Sequence, residues 1–175
     1  MLRPAEDPLI EGLAEGREEA FAVLYDSFAA SLFRVAAGML GSPQDAEDVV
    51  QEVFVAVFRG RRRLRQVENL RAYLFAALRR AAARRAAAPR RQRSLSPQEL
   101  AEVSSPESIE LDKEQAVRLE RALRILPAEQ REVIALKVDG GLTFAEIAVV
   151  LGIRANTAAS RYRYGLEKLR AAMEA

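Results

Sequence analysis

Arginine is the side chain whose number and spacing in this sequence most clearly indicate a chemistry. Thirteen arginines lie within residues 59–93, where the only acidic residue is Glu68. Residues 1–52 are the opposite, with three basic and eleven acidic side chains, although the net charge of the whole chain is only +2. A dense basic segment on an otherwise acidic chain is typical of a surface that binds a polyanion such as a nucleic acid. The alternative is a solvated Arg-rich helix followed by a tether.

Side chains suited to catalysis are scarce by comparison. The sequence has no Cys and no His, which excludes disulfides, thiolate nucleophiles, Ser-His relays and the common zinc sites. It also lacks the GxxxxGK[ST] loop that cradles nucleotide phosphates. The remaining candidates, Asp and Glu, recur at helical spacing on faces that we expect to be solvated. The sequence therefore predicts no enzyme, no catalytic residue, no metal site and no cofactor.

A second candidate for nucleic-acid binding is the segment FAEIAVVLGIRANTAASRYR at residues 144–163. Thr143 and Glu146 have the spacing of a capping box at the start of one helix. Gly152 stands where a tight turn favours a left-handed residue, and Ala148 is small where two helices must cross closely. This pattern is typical of a DNA-binding helix-turn-helix. The alternative is a plain helical hairpin with solvated arginines.

Apolar residues at spacings of three and four predict helices throughout the chain, and no segment alternates as a strand. The expected helices of the first half run near 8–14, over 17–40, over 43–59 after Ser42 and Pro43, and from Asn69 to 88, with a basic loop at 60–68. Those of the second half run over 111–126, from Pro127 to 138, over 144–151, and over 157–173 with Asn156 or Thr157 as the cap. Tyr25, Phe58, Leu119 and Leu166 are among the apolar residues expected to face the core.

These elements predict an all-α chain of two small domains, the second carrying the helix-turn-helix. Residues 89–109 hold three Pro and five Ser, a composition typical of a flexible linker. The expected boundaries are a first domain at 1–88, a linker at 89–110 and a second domain at 111–175. The sequence shows neither a run of about 18 apolar residues nor a secretory signal, so we expect a cytoplasmic protein that does not insert into a membrane.

Four motifs in order resemble the extracytoplasmic-function type of bacterial RNA polymerase sigma factor. They are DAEDVVQEVF at 45–54, NLRAYL at 69–74, LPAEQREVIAL at 126–136 and GLTFAEIAVVLGI at 141–153. The resemblance covers about residues 8–172. It departs from the usual family pattern after NLRAYL, where Arg80 and Arg84 stand in the places of an Asn and an Asp, and at Ala158 and Ala159, where Val and Lys are common.

The resemblance implies three contact surfaces on core RNA polymerase and promoter DNA. The helix at 43–59 would dock on the clamp helices of the β′ subunit through Asp45, Asp48, Gln51 and Glu52. The basic segment would bind and open the −10 element through Arg61, Arg62, Arg63, Arg65, Asn69, Arg71, Arg79, Arg80 and Arg84. The helix-turn-helix would touch the β flap and read the −35 element through Arg154, Asn156, Thr157, Ala159, Ser160, Arg161, Arg163 and Tyr164.

Two expectations about partners complete the sequence prediction. An anti-sigma factor is a further partner compatible with the resemblance. In the free chain we expect the acidic residues 1–52 to lie against the basic segment and the linker to let the domains close, so that promoter DNA is bound poorly. The alternative functions are a stand-alone helix-turn-helix regulator, which needs no polymerase, and an RNA-binding helical protein that uses the same arginines.

Overall fold

The computed structural model describes residues 7–88 and 113–174, and the regular elements in these two ranges are all helical. The helices are α1 (Pro8–Glu15), α2 (Glu18–Leu40), α3 (Pro43–Arg59), α4 (Leu70–Ala87), α5 (Lys113–Ile125), α6 (Ala128–Val138), α7 (Phe144–Leu151) and α8 (Ala155–Glu174). We call α1–α4 the first domain and α5–α8 the second domain. The predicted all-α class is confirmed, whereas the predicted linker at 89–110 lies outside the described residues.

Two helix starts follow from the capping residues that the sequence offers. The Ser42 hydroxyl accepts a hydrogen bond from the backbone N–H of Asp45 at 3.3 Å, with Pro43 in the first helical position of α3. The Asn69 side-chain oxygen accepts the N–H of Ala72 at 2.9 Å and starts α4. Each cap satisfies a backbone donor that the helix leaves without a partner. Both predicted starts are confirmed.

Two boundary predictions are wrong. The segment expected to be a basic loop contains a 3₁₀ helix, Arg61–Gln66, whose single apolar residue, Leu64, is fully buried in the core. A single leucine among arginines shows no hydrophobic periodicity, so the sequence pattern could not predict this 3₁₀ helix. Helix α8 begins at Ala155, because the carbonyl of Arg154 already accepts the N–H of Ala158 at 3.1 Å.

The first domain is built around the apolar stripe of α2, which packs on α1, α3 and α4. Its fully buried large side chains include Leu13, Leu24, Leu32, Leu64, Leu74, Phe75 and Leu78. Tyr25 and Phe58, which were expected inside, are 57% and 49% exposed. They lie on the exposed side of the α2–α3 contact, where Tyr25 contacts Phe54 and Phe58 contacts Phe21 at ring-centre distances of 5.1 and 5.2 Å.

The second domain contains the predicted helix-turn-helix. The Thr143 hydroxyl accepts the N–H of Glu146 at 3.2 Å, and the Glu146 carboxylate accepts the N–H of Thr143 at 2.6 Å, which completes a capping box at α7. Gly152 ends α7 with φ of 66°, the left-handed conformation that glycine adopts without strain. The turn therefore forms as the sequence predicted.

Helices α6 and α8 cross closely in this domain because one position has no side chain. A Cβ at Gly165 would lie 2.7 Å from Cδ1 of Ile134, so only glycine fits there without a shift. Ala122, Leu126, Ile134 and Leu169 form a small cluster that holds α5 against α6 and α8. Leu119 and Leu166, which were expected to be buried, are partly exposed beside this cluster.

Most buried residues of the two domains form one continuous core, to which the small cluster of α5, α6 and α8 does not belong. Helix α6 packs on α2 and α7 packs on α4, and the same cluster includes Val35 and Leu78 of the first domain and Leu136 and Ile147 of the second. At the α2–α6 contact, a Cβ built at Gly38 would lie 3.8 Å from the Cβ of Ala135. The second domain therefore covers one face of α4.

Helix α2 is the one described helix that is long and apolar enough, by length and composition alone, to cross a membrane, with a mean hydropathy of 1.4 over its most apolar window. Its buried residues Leu24, Phe28, Leu32 and Val35 belong to the core that also contains residues of α3, α4 and α6. Of that window, 28% is buried inside the structure.

Candidate polymerase and nucleic-acid interfaces

The residues predicted to bind the polymerase lie along one side of α3. Asp48, Gln51 and Glu52 are exposed, and Asp45, in the first turn, is half-buried. They share this side because the valines of α3 point into the core at the complementary helical positions. The structure thus brings the four predicted residues together on one accessible face.

Two arginines of α4 neutralise most of the charge on this face. The Arg85 guanidinium lies 2.6 Å from Asp45 and 2.7 Å from Asp48, and Arg84 forms an ion pair with Glu52. The hydrogen bond to Asp45 is the largest effect that raises the pKa of Arg85 above its ordinary value. A partner that docks on α3 therefore meets carboxylates and guanidinium groups together. The charge distribution predicted that acidic and basic segments would meet, but Arg85 was not among the predicted site residues.

The arginines of the 3₁₀ helix occupy different environments. Arg61 is half-buried, donates a 3.1 Å hydrogen bond to the carbonyl of Phe58 and lies 4.8 Å above the centre of that ring. Arg65 reaches α1, where it forms hydrogen bonds of 3.0 and 2.5 Å to the Glu11 carboxylate. The bond from Arg65 is the main cause that lowers the pKa of Glu11. Both arginines are therefore engaged by partners within the first domain.

Arg62, Arg63 and Arg80 have a different character from these anchored arginines. All three are exposed, and none forms a salt bridge with another residue in the described ranges. Arg62 and Arg63 lie beside Arg59 around an open, mainly polar cleft at the end of α3. Guanidinium groups in this state can reach phosphates without first breaking an ion pair.

Asn69 and Arg71, at the start of α4, contact the second domain. The Asn69 amide nitrogen donates a 2.6 Å hydrogen bond to Glu146, and the Arg71 guanidinium donates a 2.8 Å hydrogen bond to the carbonyl of Gly140. Arg71 also lies 5.2 Å from the ring centre of Phe28. These two predicted −10 residues therefore lie at the boundary between the domains.

Arg79 contacts the second domain two turns further along α4. Its Nε donates a 2.9 Å hydrogen bond to Glu132 of α6. A neighbouring pair, Arg34 of α2 and Asp139 after α6, spans the same boundary at 3.3 Å. Burial raises the pKa of Asp139 above its ordinary value, and Arg34 opposes this shift only in part. These contacts could not be predicted from the sequence, because each joins residues far apart in the chain.

The N-terminal half of α8 presents the residues predicted to read DNA. Arg154, Asn156, Thr157, Arg163 and Tyr164 are exposed, while Ala158 is fully buried against α7. Ala159, Ser160 and Arg161 are half-buried. This is the arrangement in which the second helix of a helix-turn-helix enters a major groove.

Three of these residues have local partners in the free chain. Arg161 forms a 2.7 Å ion pair with Glu129 of α6, and its side chain is only 26% exposed. Ser160 donates a 2.9 Å hydrogen bond to the carbonyl of Asn156. The guanidinium of Arg163 lies 5.0 Å from the ring centre of Tyr164. Arg163 is thus the more accessible cation, and Arg161 is held against the domain by a carboxylate.

Comparison with known families matches both domains. A model of sigma-70 region 2 matches residues 24–92, and a model of sigma-70 region 4 matches residues 116–169. The extracytoplasmic-function sigma factor SigL of Mycobacterium tuberculosis is 31% identical over 173 residues, which cover 94% of this chain and 95% of SigL. SigE of Mycolicibacterium smegmatis is 32% identical over 149 residues, 79% of this chain and 56% of SigE.

Solved structures show the same architecture. The structure of CnrH in complex with the cytosolic domain of CnrY has a TM-score of 0.69 and 26% identity, covering 97% of both chains. RpoE in complex with the anti-sigma factor NepR, from Bartonella quintana, has a TM-score of 0.68 at 20% identity, covering 89% of this chain and 98% of RpoE. At this identity the similarity to RpoE is one of fold alone. Both region models in order, and a relative that aligns along nearly the whole chain, show that this protein belongs to the extracytoplasmic-function group of sigma-70 factors, which direct RNA polymerase to promoters.

Proposed function

We propose that this sigma factor joins core RNA polymerase through the exposed side of α3, opens the −10 element with the arginines that follow α3, and reads the −35 element with α8. On the polymerase, α3 would contact the β′ clamp helices and the second domain would contact the β flap. We assign these roles to domains at 1–88 and 111–175, joined by a linker at 89–110.

The observation that carries the proposal is the polar half of α8. Arg154, directly before α8, and Asn156 and Thr157, in its first turn, are exposed and follow the turn at Gly152. Arg bonds guanine edges or phosphates, and Asn and Thr bond bases or the backbone. A helical hairpin that only packs does not require these hydrogen-bond donors at the N-terminal end of its second helix.

The −10 role rests on Arg62, Arg63 and Arg80. Their exposed guanidinium groups supply the cationic surface that a separated strand needs, because each phosphate contact releases condensed counterions. The anchored residues Arg61 and Arg65 would position this surface by holding the 3₁₀ helix on α1 and α3. Aromatic stacking would have to come from elsewhere, since Phe75 is fully buried and Tyr73 is half-buried.

The remaining parts of the proposal concern chemistry, location and regulation. The chain would act as a transcription initiation factor without an enzymatic activity of its own, in the cytoplasm where RNA polymerase works. Its structural relatives CnrH and RpoE were solved with CnrY and with the anti-sigma factor NepR. An anti-sigma factor that binds this chain is therefore part of the proposal.

Transcription in vitro with core polymerase, followed by mapping of the start sites, tests the function. The expected result is a set of transcripts whose start sites share one pair of upstream elements, formed only when the chain is present. Binding of the chain to duplex DNA without retention by core polymerase would favour the stand-alone regulator instead.

A further inference from the structure

Three carboxylates form a line along the proposed docking face of α3. Asp45, Asp48 and Glu52 are spaced three and four positions apart, so they lie one above another on the helix. Each of them is paired with an arginine in the last turn of α4. Arg85 bridges Asp45 and Asp48 at 2.6 and 2.7 Å, and Arg84 pairs with Glu52. Three negative charges thus meet two positive ones, and one net negative charge remains on the line.

The packing of the two helices keeps these pairs together. Helices α3 and α4 are in contact, and the first turn of α3, with Asp45, lies beside the last turn of α4, with Arg85. An acidic side chain in a first turn and a basic one in a last turn are both favoured by the helix dipole. Asp45 and Asp48 would repel each other, and the guanidinium between them relieves that repulsion. The pairs are also within reach of a partner, because every side chain in them is at least 37% exposed.

One of the two arginines departs from the usual family pattern, in which an Asp stands at the position of Arg84. An Asp there would repel Glu52, whereas Arg84 pairs with it. The charge of the docking face is thus set in part by a residue that distinguishes this chain from typical members of the family.

Building on the proposed function, in which α3 docks on polymerase, we propose that Arg84 and Arg85 compete with the cationic groups through which core polymerase binds this face. A carboxylate that already accepts a guanidinium N–H has fewer free lone pairs, and its charge is largely compensated. A lysine or arginine of the polymerase gains full contact only when Arg84 and Arg85 move away. The two arginines therefore weaken core binding and reduce its dependence on salt, because fewer uncompensated charges attract the partner.

Neutralisation of the two arginines tests this proposal. Arg84→Gln combined with Arg85→Gln frees the three carboxylates of α3. The control, Arg17→Gln combined with Arg124→Gln, removes two guanidinium groups that are also paired with glutamates at exposed positions but lie outside α3 and α4. The full-length proteins carry a fluorescein at the N-terminus, and fluorescence anisotropy measures their binding to core polymerase over a series of salt concentrations. No DNA is added, so a contact of Arg84 with the −10 element does not contribute.

We expect the first double variant to bind core polymerase roughly three- to tenfold more tightly than the control at low salt, since two surface ion pairs no longer have to be broken. Its affinity should also fall more steeply as the salt concentration rises. Equal affinities would overturn the proposal. Weaker binding would overturn it as well, because the arginines would then be polymerase contacts themselves. Thermal unfolding checks that both variants are folded, and their Tm should stay near that of the wild type.

The pairing itself can be measured in the free chain, without polymerase, from the Nε–H resonances of arginine in ¹⁵N NMR spectra. Arg85→Gln identifies the resonance of Arg85, whose Nε donates a 2.7 Å hydrogen bond to Asp45. Asp45→Asn should shift this resonance and speed the exchange of its proton with water. Glu120→Gln, which removes a paired carboxylate elsewhere, should leave it unchanged. A resonance of Arg85 that does not respond to Asp45→Asn would reject the competition.

The core-binding data also separate this proposal from the proposed function. If Asp48→Arg weakens core binding but the arginine variant binds like its control, only the competition is wrong. If Asp48→Arg leaves core binding unchanged too, α3 is not the docking face, and the polymerase contact in the proposed function fails together with the competition.

Discussion

Asn69 and Glu146 are 77 positions apart in the chain, and a 2.6 Å hydrogen bond joins them. Each uses one end of its side chain to cap its own helix and the other end to reach its partner. Asn69 accepts the N–H of Ala72 at the start of α4, and Glu146 accepts the N–H of Thr143 at the start of α7. The beginning of the proposed −10 helix and the beginning of the helix-turn-helix are thus parts of one hydrogen-bond network.

The charge on Glu146 should make this network sensitive to acid. The hydrogen bond from the Thr143 backbone, with smaller contributions from Asn69 and Arg71, lowers the pKa of Glu146 below its ordinary value of 4.5. The unfolded chain therefore takes up this proton first as the pH falls. The stabilisation is complete above about pH 4.5 and is lost as the pH falls through the folded-state pKa.

Thermal unfolding of wild type and Glu146→Gln between about pH 3 and about pH 7 measures this effect. We expect the two Tm curves to differ most at neutral pH and to converge in acid. Asp139→Asn provides a comparison of opposite sign, because burial raises the pKa of Asp139. Relative to Asp139→Asn, the wild type should lose stability as the pH rises from 3.8, the ordinary pKa of an aspartate, through the higher pKa of Asp139 in the folded chain. Parallel curves for wild type and Glu146→Gln would contradict the assignment.

The exposed arginines of the 3₁₀ helix should contribute to DNA opening more than the anchored ones. Arg62→Gln combined with Arg63→Gln should lower the open-complex yield and reduce the salt dependence of opening by about two phosphate contacts, with core binding and Tm nearly unchanged. Arg61→Gln should instead lower Tm, because its guanidinium packs on Phe58 and bonds the carbonyl of that residue. A double variant with wild-type opening and an unchanged salt slope would remove the strand-binding role.

Reversal of one charge on α3 tests the polymerase contact. Asp48→Arg should weaken binding to core polymerase, because it places a cation beside Arg85 on the proposed docking face. Helicity and Tm should change little, since exposed ion pairs contribute little to stability. Asp26→Arg makes the same change at an exposed position of α2 and serves as the control. Equal retention of the two variants by core polymerase in a pull-down would exclude Asp48 from the interface.

Arg161 and Arg163 should have different effects on promoter preference. Arg161→Ala should change the preference at one base pair of the −35 element by roughly 1–3 kcal/mol, whereas Arg163→Ala should weaken all sequences about equally. Glu129→Gln should strengthen −35 binding, because it removes the carboxylate that pairs with Arg161 in the free chain. Binding measured on a set of single-substituted promoters checks all three variants. Uniform loss from both arginine variants would show that neither reads a base.

Local sequence signals predicted the helices, the Ser42 cap, the start of α4 near Asn69 and the Gly152 turn, because each depends on residues close together in the chain. They also placed Asp48, Gln51 and Glu52 on a common face, since the valines of α3 fix its orientation. The same reasoning failed for Tyr25 and Phe58, whose spacing fits the core but whose side chains are 57% and 49% exposed.

The pairing of the arginines could not be predicted from the sequence. Thirteen similar side chains in residues 59–93 have the same chemistry, and only tertiary structure decides which become anchors. Arg65 meets Glu11 and Arg79 meets Glu132 across separations of 54 and 53 positions. Periodicity describes the face of a helix on which a residue lies, but it does not identify the element that covers that face.

The core that continues from α2 into α6 has a consequence for how the free chain unfolds. Two regions recognised separately by sequence share one set of buried contacts, so heat should melt them together in a single calorimetric transition. The van't Hoff and calorimetric enthalpies should then agree for the whole chain. If the two regions were separated, that single cooperative unit would divide, and each half would have to derive its stability from its own contacts or from a surface to which it is bound.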